Sequence, residues 1–464
     1  MKVVLRIGVP LLCSALLQAC SLAPRYERPK APVPAAWPTG DAYAKAEAAA
    51  VLQDYRQVVR DVRLAEVIGL ALANNRDLRV AAANVVAARA RYGVQRGDLL
   101  PRITAGAQVQ HANPAADGRS SVGGINNAVA DVGVTAFELD LFGRVRSLSR
   151  AALNRYLETE AGARATRIAL IGDVANAWFG YAANRSLVQI AESTASNARR
   201  GTELTNARLQ RGIAPRSDLR LAQTILEQAL ADLASAHTEV ARSYNTLQFL
   251  VGQPLEERLL PDAIDELQDS VAAVPPGLDT AVLLHRPDVE QAEFELIAAN
   301  AEIGAARAAL FPRISLGALV GFAGPRWSDL FSSASRSDSS SAGASLPIFT
   351  GGAALAGLRQ VKAQRDAAVA GYERAVQRAF REVADCLARD GTIRDQHDAQ
   401  GQLVEAAADA YRISEARYQG GVESYLQTLD SQRSLYNAER GLVQVRLTRA
   451  TNLMNLFRAL GGES

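Results

Sequence analysis

Lysine is almost missing from this chain of 464 residues. Lys2, Lys30, Lys45 and Lys362 are its only lysines among 51 Lys+Arg, so arginine carries the positive charge. Those 51 bases meet 49 acids, and Lys2 and Arg6 account for the excess. The absence of a basic balance argues against a nucleic-acid binder, which normally shows a positive face. Cysteine is down to three and histidine to four. Both are widely scattered, which leaves little for a disulfide framework or a metal site. No glycine loop for phosphate, nucleophile–base pair or cofactor fingerprint is present, so no cofactor and no enzymatic activity are expected. No run of 18 apolar residues occurs beyond the N-terminus, which excludes a transmembrane helix. Proline is missing from Gly143 to Ala214 and from residues 348–464, which permits very long helices. With 48% hydrophobic residues, the chain can bury a large core and is not globally disordered.

The N-terminus reads as an address. Lys2 and Arg6 precede an apolar stretch, Ile7 to Leu17, too short to span a bilayer. It ends in Leu17-Gln18-Ala19-Cys20, which resembles a bacterial lipobox. Residues 1–19 are then a signal peptide, and Cys20 is the lipidation site. The alternative is an ordinary signal peptide with an incidental cysteine. Ser21, by the same resemblance, permits export to the outer membrane. Cys13 falls in the signal segment. Cys386, in a helical pattern over 381–389, reads as a buried structural thiol.

Residues 20–63 form a lipidated N-terminus, a proline-rich tether (Pro24, Pro29, Pro32, Pro34, Pro38) and a first helix. Two copies of one pattern follow. Asp77 to Pro101 matches Asp288 to Pro312, and A-R-L-Q-R-G-I (207–213) matches A-R-Y-Q-G-G-V (416–422) at an offset of 209. Gly252 and Gly461 end the copies alike. The first repeat is 64–251, the second 277–464, and 252–276 is a proline-rich, acidic linker. Such a period exceeds that of a solenoid and implies duplication of a whole unit.

Each unit reads as helix, hairpin and two long helices. The first has strands at about 103–111 and 129–139 and long helices at about 143–213 and 215–251. The second has strands at about 314–322 and 341–348, around a Ser-rich loop at 332–341, and helices at about 351–419 and 422–461. The strands alternate weakly, as transmembrane barrel strands do. Seventy helical residues would reach about 105 Å. Leu219, Ala222, Leu226, Ala229, Leu233, Ala236 and Val240 alternate at three and four, a heptad in which alanines permit close helix approach. Gly-containing turns at 211–215 and 420–422 fold the helices back as antiparallel pairs. Trp178, Phe179 and Tyr181 read as helix packing.

Four strands per chain cannot close a barrel, and open edges are not tolerated in lipid. Either the strands stay outside the membrane or three chains share twelve strands.

The chain resembles the TolC-like outer-membrane efflux proteins, lipoprotein branch. The motifs are P-R-Y-E-R-P (24–29), E-L-D-L-F-G-R-V-R (138–146), L-L-H-R-P-D-V (283–289), R-A-A-L-F-P-R-I-S-L (307–316), Y-L-Q-T-L-D-S-Q-R-S-L (425–435) and A-L-G-G (459–462). The resemblance implies a mainly α fold with a small β part and a homotrimer sharing a twelve-stranded barrel on a long α-helical barrel. It also implies a periplasmic adaptor and an inner-membrane transporter as partners. The function implied is a passive duct exporting small molecules such as drugs. A channel for type I secretion or metal efflux, and a pore-less lipid-tethered coiled-coil scaffold, are the alternatives.

In that family the periplasmic tip is shut by inward side chains and ion pairs. Tyr418, Leu426, Asp430 and Arg433 stand at the second tip and Asp218 after the first. Leu426 would form an apolar ring in a trimer. Asp430 and Arg433, at i and i+3, can pair, and Tyr418 can bond to their network. The plainer alternative is an exposed intrahelical ion pair.

Overall fold

The structure is a computed structural model that describes residues 21–43, 54–112, 125–272, 279–330 and 332–462. Cys20 and the signal segment lie outside the described residues. One order of elements occurs twice. The first copy has α1 (Val62–Asn74), α2 (Arg76–Gly97), β1 (Ile103–Ala112), β2 (Ile125–Leu139), α3 (Arg144–Gln210) and α4 (Arg216–Val251). The second has α5 (Pro287–Ala308), β3 (Arg313–Gly324), β4 (Arg336–Ser345), α6 (Ala353–Gln419) and α7 (Tyr425–Ala459). The chain is mainly α with one small sheet.

The single helix expected before the first hairpin forms as two, α1 and α2, because Asn75 splits it. The Asn75 carboxamide accepts from the Leu78 amide at 3.0 Å and donates to the Leu250 carbonyl at 2.8 Å. It satisfies an orphan donor of α2 and an orphan carbonyl of α4 together, which a continuous helix would leave unmet. Arg286 does the corresponding work in the second copy. It is 5% exposed and donates to the Ala459 carbonyl at 2.5 Å. It also pairs with Asp288 at 2.9 Å and with Glu382 at 2.8 Å. Gly252, at φ 80°, must be glycine, since a Cβ there would sit 2.8 Å from the Asn74 carbonyl.

The chain forms two compact units. One draws on residues 1–30, 84–160 and 291–373, the other on 31–83, 161–290 and 374–464. The first holds the sheet, with strands in the order β1-β2-β3-β4 and every pair antiparallel. Directly paired residues share a face. Ala105, Val132, Val320 and Asp338 form one such row, and Gly106, Asp131, Gly321 and Ser337 form the next. Extending the rows gives one face carrying Ile103, Val109, Val134, Phe322 and Leu316 and another carrying Thr104, Gln108, Gln110, Ser339 and Ser341. Over β1–β3 the first face is apolar and the second mostly polar, with Val129 and Leu319 as exceptions; β4 adds Arg336, Asp338 and Ser340 to the first face. A bulge between Val134 and Phe137 inserts one residue, which keeps Phe137 on the apolar face.

The Ser-rich segment read as a loop is largely strand: β4 runs Arg336–Ser345, ahead of the expected 341–348. Serine has little strand propensity, but here register with β3 decides, and Ser337, Ser339 and Ser341 line the polar face. E-L-D-L-F-G-R-V-R makes the strand-to-helix corner. Arg144 grips Glu138 with bonds of 2.8 and 2.6 Å. Asp140 accepts from the Val145 and Arg146 amides at 3.1 and 2.9 Å, capping α3. Phe142 stacks on Phe311 from the other copy's corner at 4.8 Å.

In the second unit, Trp178, Phe179, Phe457, Leu64, Ile68 and Leu247 are fully buried. The linker is not free chain: Leu255, Leu259, Ile264 and Leu267 are buried, and Trp178 Nε1 donates to the Leu259 carbonyl at 2.9 Å. On α4, Ala229 packs with Ala195 and Ala198 of α3, flanked by Leu226 and Leu233. Small residues at the seam let these helices approach closely. Cys386 is partly buried, and burial pushes its thiol up to about 11, so it stays protonated and unreactive at neutral pH. Among the described residues no helix is long and apolar enough to cross a membrane.

Candidate functional site at the helical hairpins

Two turns of the second unit share one design. The Ile213 amide donates to the Arg208 carbonyl at 2.9 Å, and 209 residues later the Val422 amide donates to the Arg417 carbonyl at 3.0 Å. Gly212 and Gly421 hold φ of 74° and 75° at the matching positions. A left-handed glycine is the usual end of a helix that must turn back.

The hairpins differ in what they carry. Tyr418 stands where the first copy has Leu209, Tyr425 where it has Arg216, Leu426 where it has Ser217 and Asp430 where it has Leu221. Tyr418 and Tyr425 are buried with Leu429 against Ala222 of α4, with Leu204 and Ile225 alongside. Their rings lie 5.0 Å apart. Tyr418 bonds to the Thr205 hydroxyl at 2.9 Å. Since Thr205 donates its own proton to the Gly201 carbonyl at 2.8 Å, Tyr418 is the donor. Arg208 stacks over the Tyr418 ring at 4.8 Å and donates to the Tyr418 carbonyl at 2.6 Å. Tyr425 lies against Gly201, where a Cβ would come 2.4 Å from the phenol oxygen. Burial pushes the Tyr425 phenol up to about 12, so it remains neutral.

The structure therefore separates the expected site residues. Tyr418 is buried and bonded to Thr205, not to the Asp430–Arg433 network, because the hydroxyl points across to α3. Asp430 and Arg433 pair at 3.3 Å on the exposed face, with side chains 54% and 77% accessible. Leu426 is 57% exposed. Asp218, in the first turn of α4, accepts from Ser217 at 3.4 Å. Leu426, Asp430 and Arg433 border a groove of about 420 Å³ that α7 shares with Leu221, Ile225 and Asp232 of α4. Gly201, Thr205, Arg208 and Tyr425 escaped the sequence reading. The substitution of two aromatic residues for Leu209 and Arg216 between the copies is the signal that marks them.

Helix, hairpin and two long helices, given twice with all four strands in one antiparallel sheet, define a class of mainly α proteins built by tandem duplication. The chain belongs to the Outer membrane efflux protein family, whose pattern matches residues 67–253 and 280–462. It is similar to the probable efflux pump outer membrane protein TtgC of Pseudomonas putida, with 42% identity over 96% of this chain and 93% of the relative. A solved membrane protein from Pseudomonas aeruginosa superposes with a TM-score of 0.86 at 37% identity, covering 96% of this chain and 99% of that one. The open state of the MtrE outer membrane channel of Neisseria gonorrhoeae gives 0.83 at 33% identity, covering 96% and 98%.

Proposed function

We infer that this protein is the outer-membrane channel of an efflux system, a passive duct for small molecules. The observation that carries this reading is the sheet, which over β1–β3 presents one apolar face and one mostly polar face. An apolar face suits lipid and a polar face suits a water-filled lumen. The outer edges of β1 and β4 are open within one chain, and lipid does not tolerate open edges. Three chains would supply twelve strands from four each and close them. The membership of the efflux family supports the same assembly. Acylation of Cys20 would hold the protein to the membrane.

Export through such a duct needs energy from elsewhere, so an inner-membrane transporter and a periplasmic adaptor are the partners. No chemical transformation is assigned to this chain. The hairpin ends form the gate: Leu426 supplies an apolar ring that resists wetting, and Asp430 with Arg433 supplies charges that hold the closed state. Tyr418 sits behind them as a buried brace rather than as a member of their network. Deleting the protein from its native cell and measuring retention of a fluorescent efflux dye tests the function. Retention should rise, and re-expression should restore export. Unchanged retention with the partner pump present would contradict the reading.

A further inference from the structure

The proline-rich segment after Cys20 does not behave as a loose tether. Residues 22–28 run along α5, antiparallel to it, and three α5 side chains hold them. Arg307 donates to the Leu22 carbonyl at 3.1 Å, and Asn300 donates to the Pro24 carbonyl at 2.8 Å. Glu293 accepts from Tyr26 at 2.9 Å and from Arg28 at 2.7 and 2.9 Å. These α5 residues are spaced by seven, two helix turns, so they share one face. Their targets on the segment fall at every second residue, one side of an extended chain. Between the rungs Gly304 opens the helix surface: a Cβ there would come 2.7 Å from the Ala23 methyl. Glu293 is 8% exposed, so its charge depends on the partners the segment brings. The nearby Tyr372 hydroxyl is buried and makes no hydrogen bond, so it does not replace them.

We propose that α5 is a docking surface for the N-terminal segment of its own chain, and that this docking fixes where the membrane anchor emerges. Cys20 precedes Leu22 by two residues, about 7 Å of extended chain. Leu22 is held by Arg307 in the last turn of α5, and β3 begins at Arg313. With Leu22 held there, two residues of chain bound how far an acylated Cys20 can reach from the strand end of α5. The sheet's depth in the bilayer is then set from both sides, by its apolar face and by a strapped lipid. The anchor half of this inference rests on the lipidation reading of Cys20. The docking half does not.

Limited trypsin digestion of the full-length protein in detergent, followed by mass spectrometry, tests both halves. The Arg25–Tyr26 bond lies within the docked segment, and cleavage requires the segment to lift. Wild-type protein should resist. Glu293→Ala should be cut there at least tenfold faster, with the rest of the digest unchanged. Arg28→Ala, which alters the strap rather than the helix, should behave alike, and Tyr372→Phe should match wild type. Wild-type cleavage as fast as that of Glu293→Ala, or no acceleration in either Glu293→Ala or Arg28→Ala, overturns the docking. The released peptide beginning at Cys20 reports the anchor separately. Acyl mass on it supports the placement of the lipid, and an unmodified peptide overturns that half alone.

Discussion

Replacing Asp430 and Arg433 together by alanine is the sharpest perturbation of the proposed gate. The pair is 3.3 Å apart, at i and i+3, with side chains 54% and 77% accessible. Such a pair contributes about 0.3–0.5 kcal/mol. Three copies in a trimer contribute about 1–1.5 kcal/mol, and 1.4 kcal/mol is a factor of ten. If the pairs form only in the closed state, their loss should raise the open-to-closed ratio about five- to tenfold. The assay is open probability of purified trimers in planar bilayers at 0.1 M and 1 M KCl. Over that range the screening length falls from about 10 Å to about 3 Å. Wild-type channels should therefore open more readily in high salt, and the variant should open equally in both. An unchanged open probability in intact trimers, or a salt response retained by the variant, refutes the reasoning.

Other expectations concern the scaffold. Arg286→Ala should lower stability by about 3 kcal/mol, near the low end for a broken buried pair, because Asp288 and Glu382 are 30% and 36% exposed and can rehydrate; the urea midpoint reads this, and a shift under 0.5 kcal/mol would count against it. Gly201→Ala should displace Tyr425 and destabilise by about 1–3 kcal/mol, and adding Tyr425→Phe should restore part of the loss by removing the clashing oxygen; a double variant no better than the single would show that the contact is not the cause. Cys20→Ser should yield a mature N-terminus without acyl mass, and lipid still found there by mass spectrometry would end the anchor reading. Burial first, and then the charge of Glu295, holds the Glu158 carboxyl above its usual range. Its folded pKa is raised, so its stabilising contribution is full at low pH and is lost as pH rises through that pKa. Glu158→Gln should melt higher than wild type near neutrality and converge with it in acid, and parallel melting curves across that range would exclude the effect.

The duplication was legible because each repeat must solve the same closure problem. Gly212 and Gly421 recur as turns, and Gly252 and Gly461 recur where helices end against the start of their own copy, at Asn74 and Arg286. Heptad spacing over Leu219–Val240 likewise announces a packed helical pair, since the seam itself imposes that period. What escaped the reading depends on neighbours distant in the chain. Ser337–Ser341 has no intrinsic pull toward a strand, and only the register with β3 makes it one. Tyr418 lies in the last turn of α6, just before the turn that starts at Gly420, yet its hydroxyl meets Thr205 more than two hundred residues earlier in the sequence. Five prolines over 24–38 indicate extended chain, but the surface that holds its first part is the seven-residue ladder on α5. A periodic polar stripe is ambiguous in sequence, because solvent and a docked segment both satisfy it.

The measurement closest to the central claim is the native mass of the protein extracted from outer membranes in mild detergent. The account predicts a trimer, in which four strands from each chain close a barrel with the apolar face outward. A stable monomer would leave the β1 and β4 edges open in lipid and would contradict the duct.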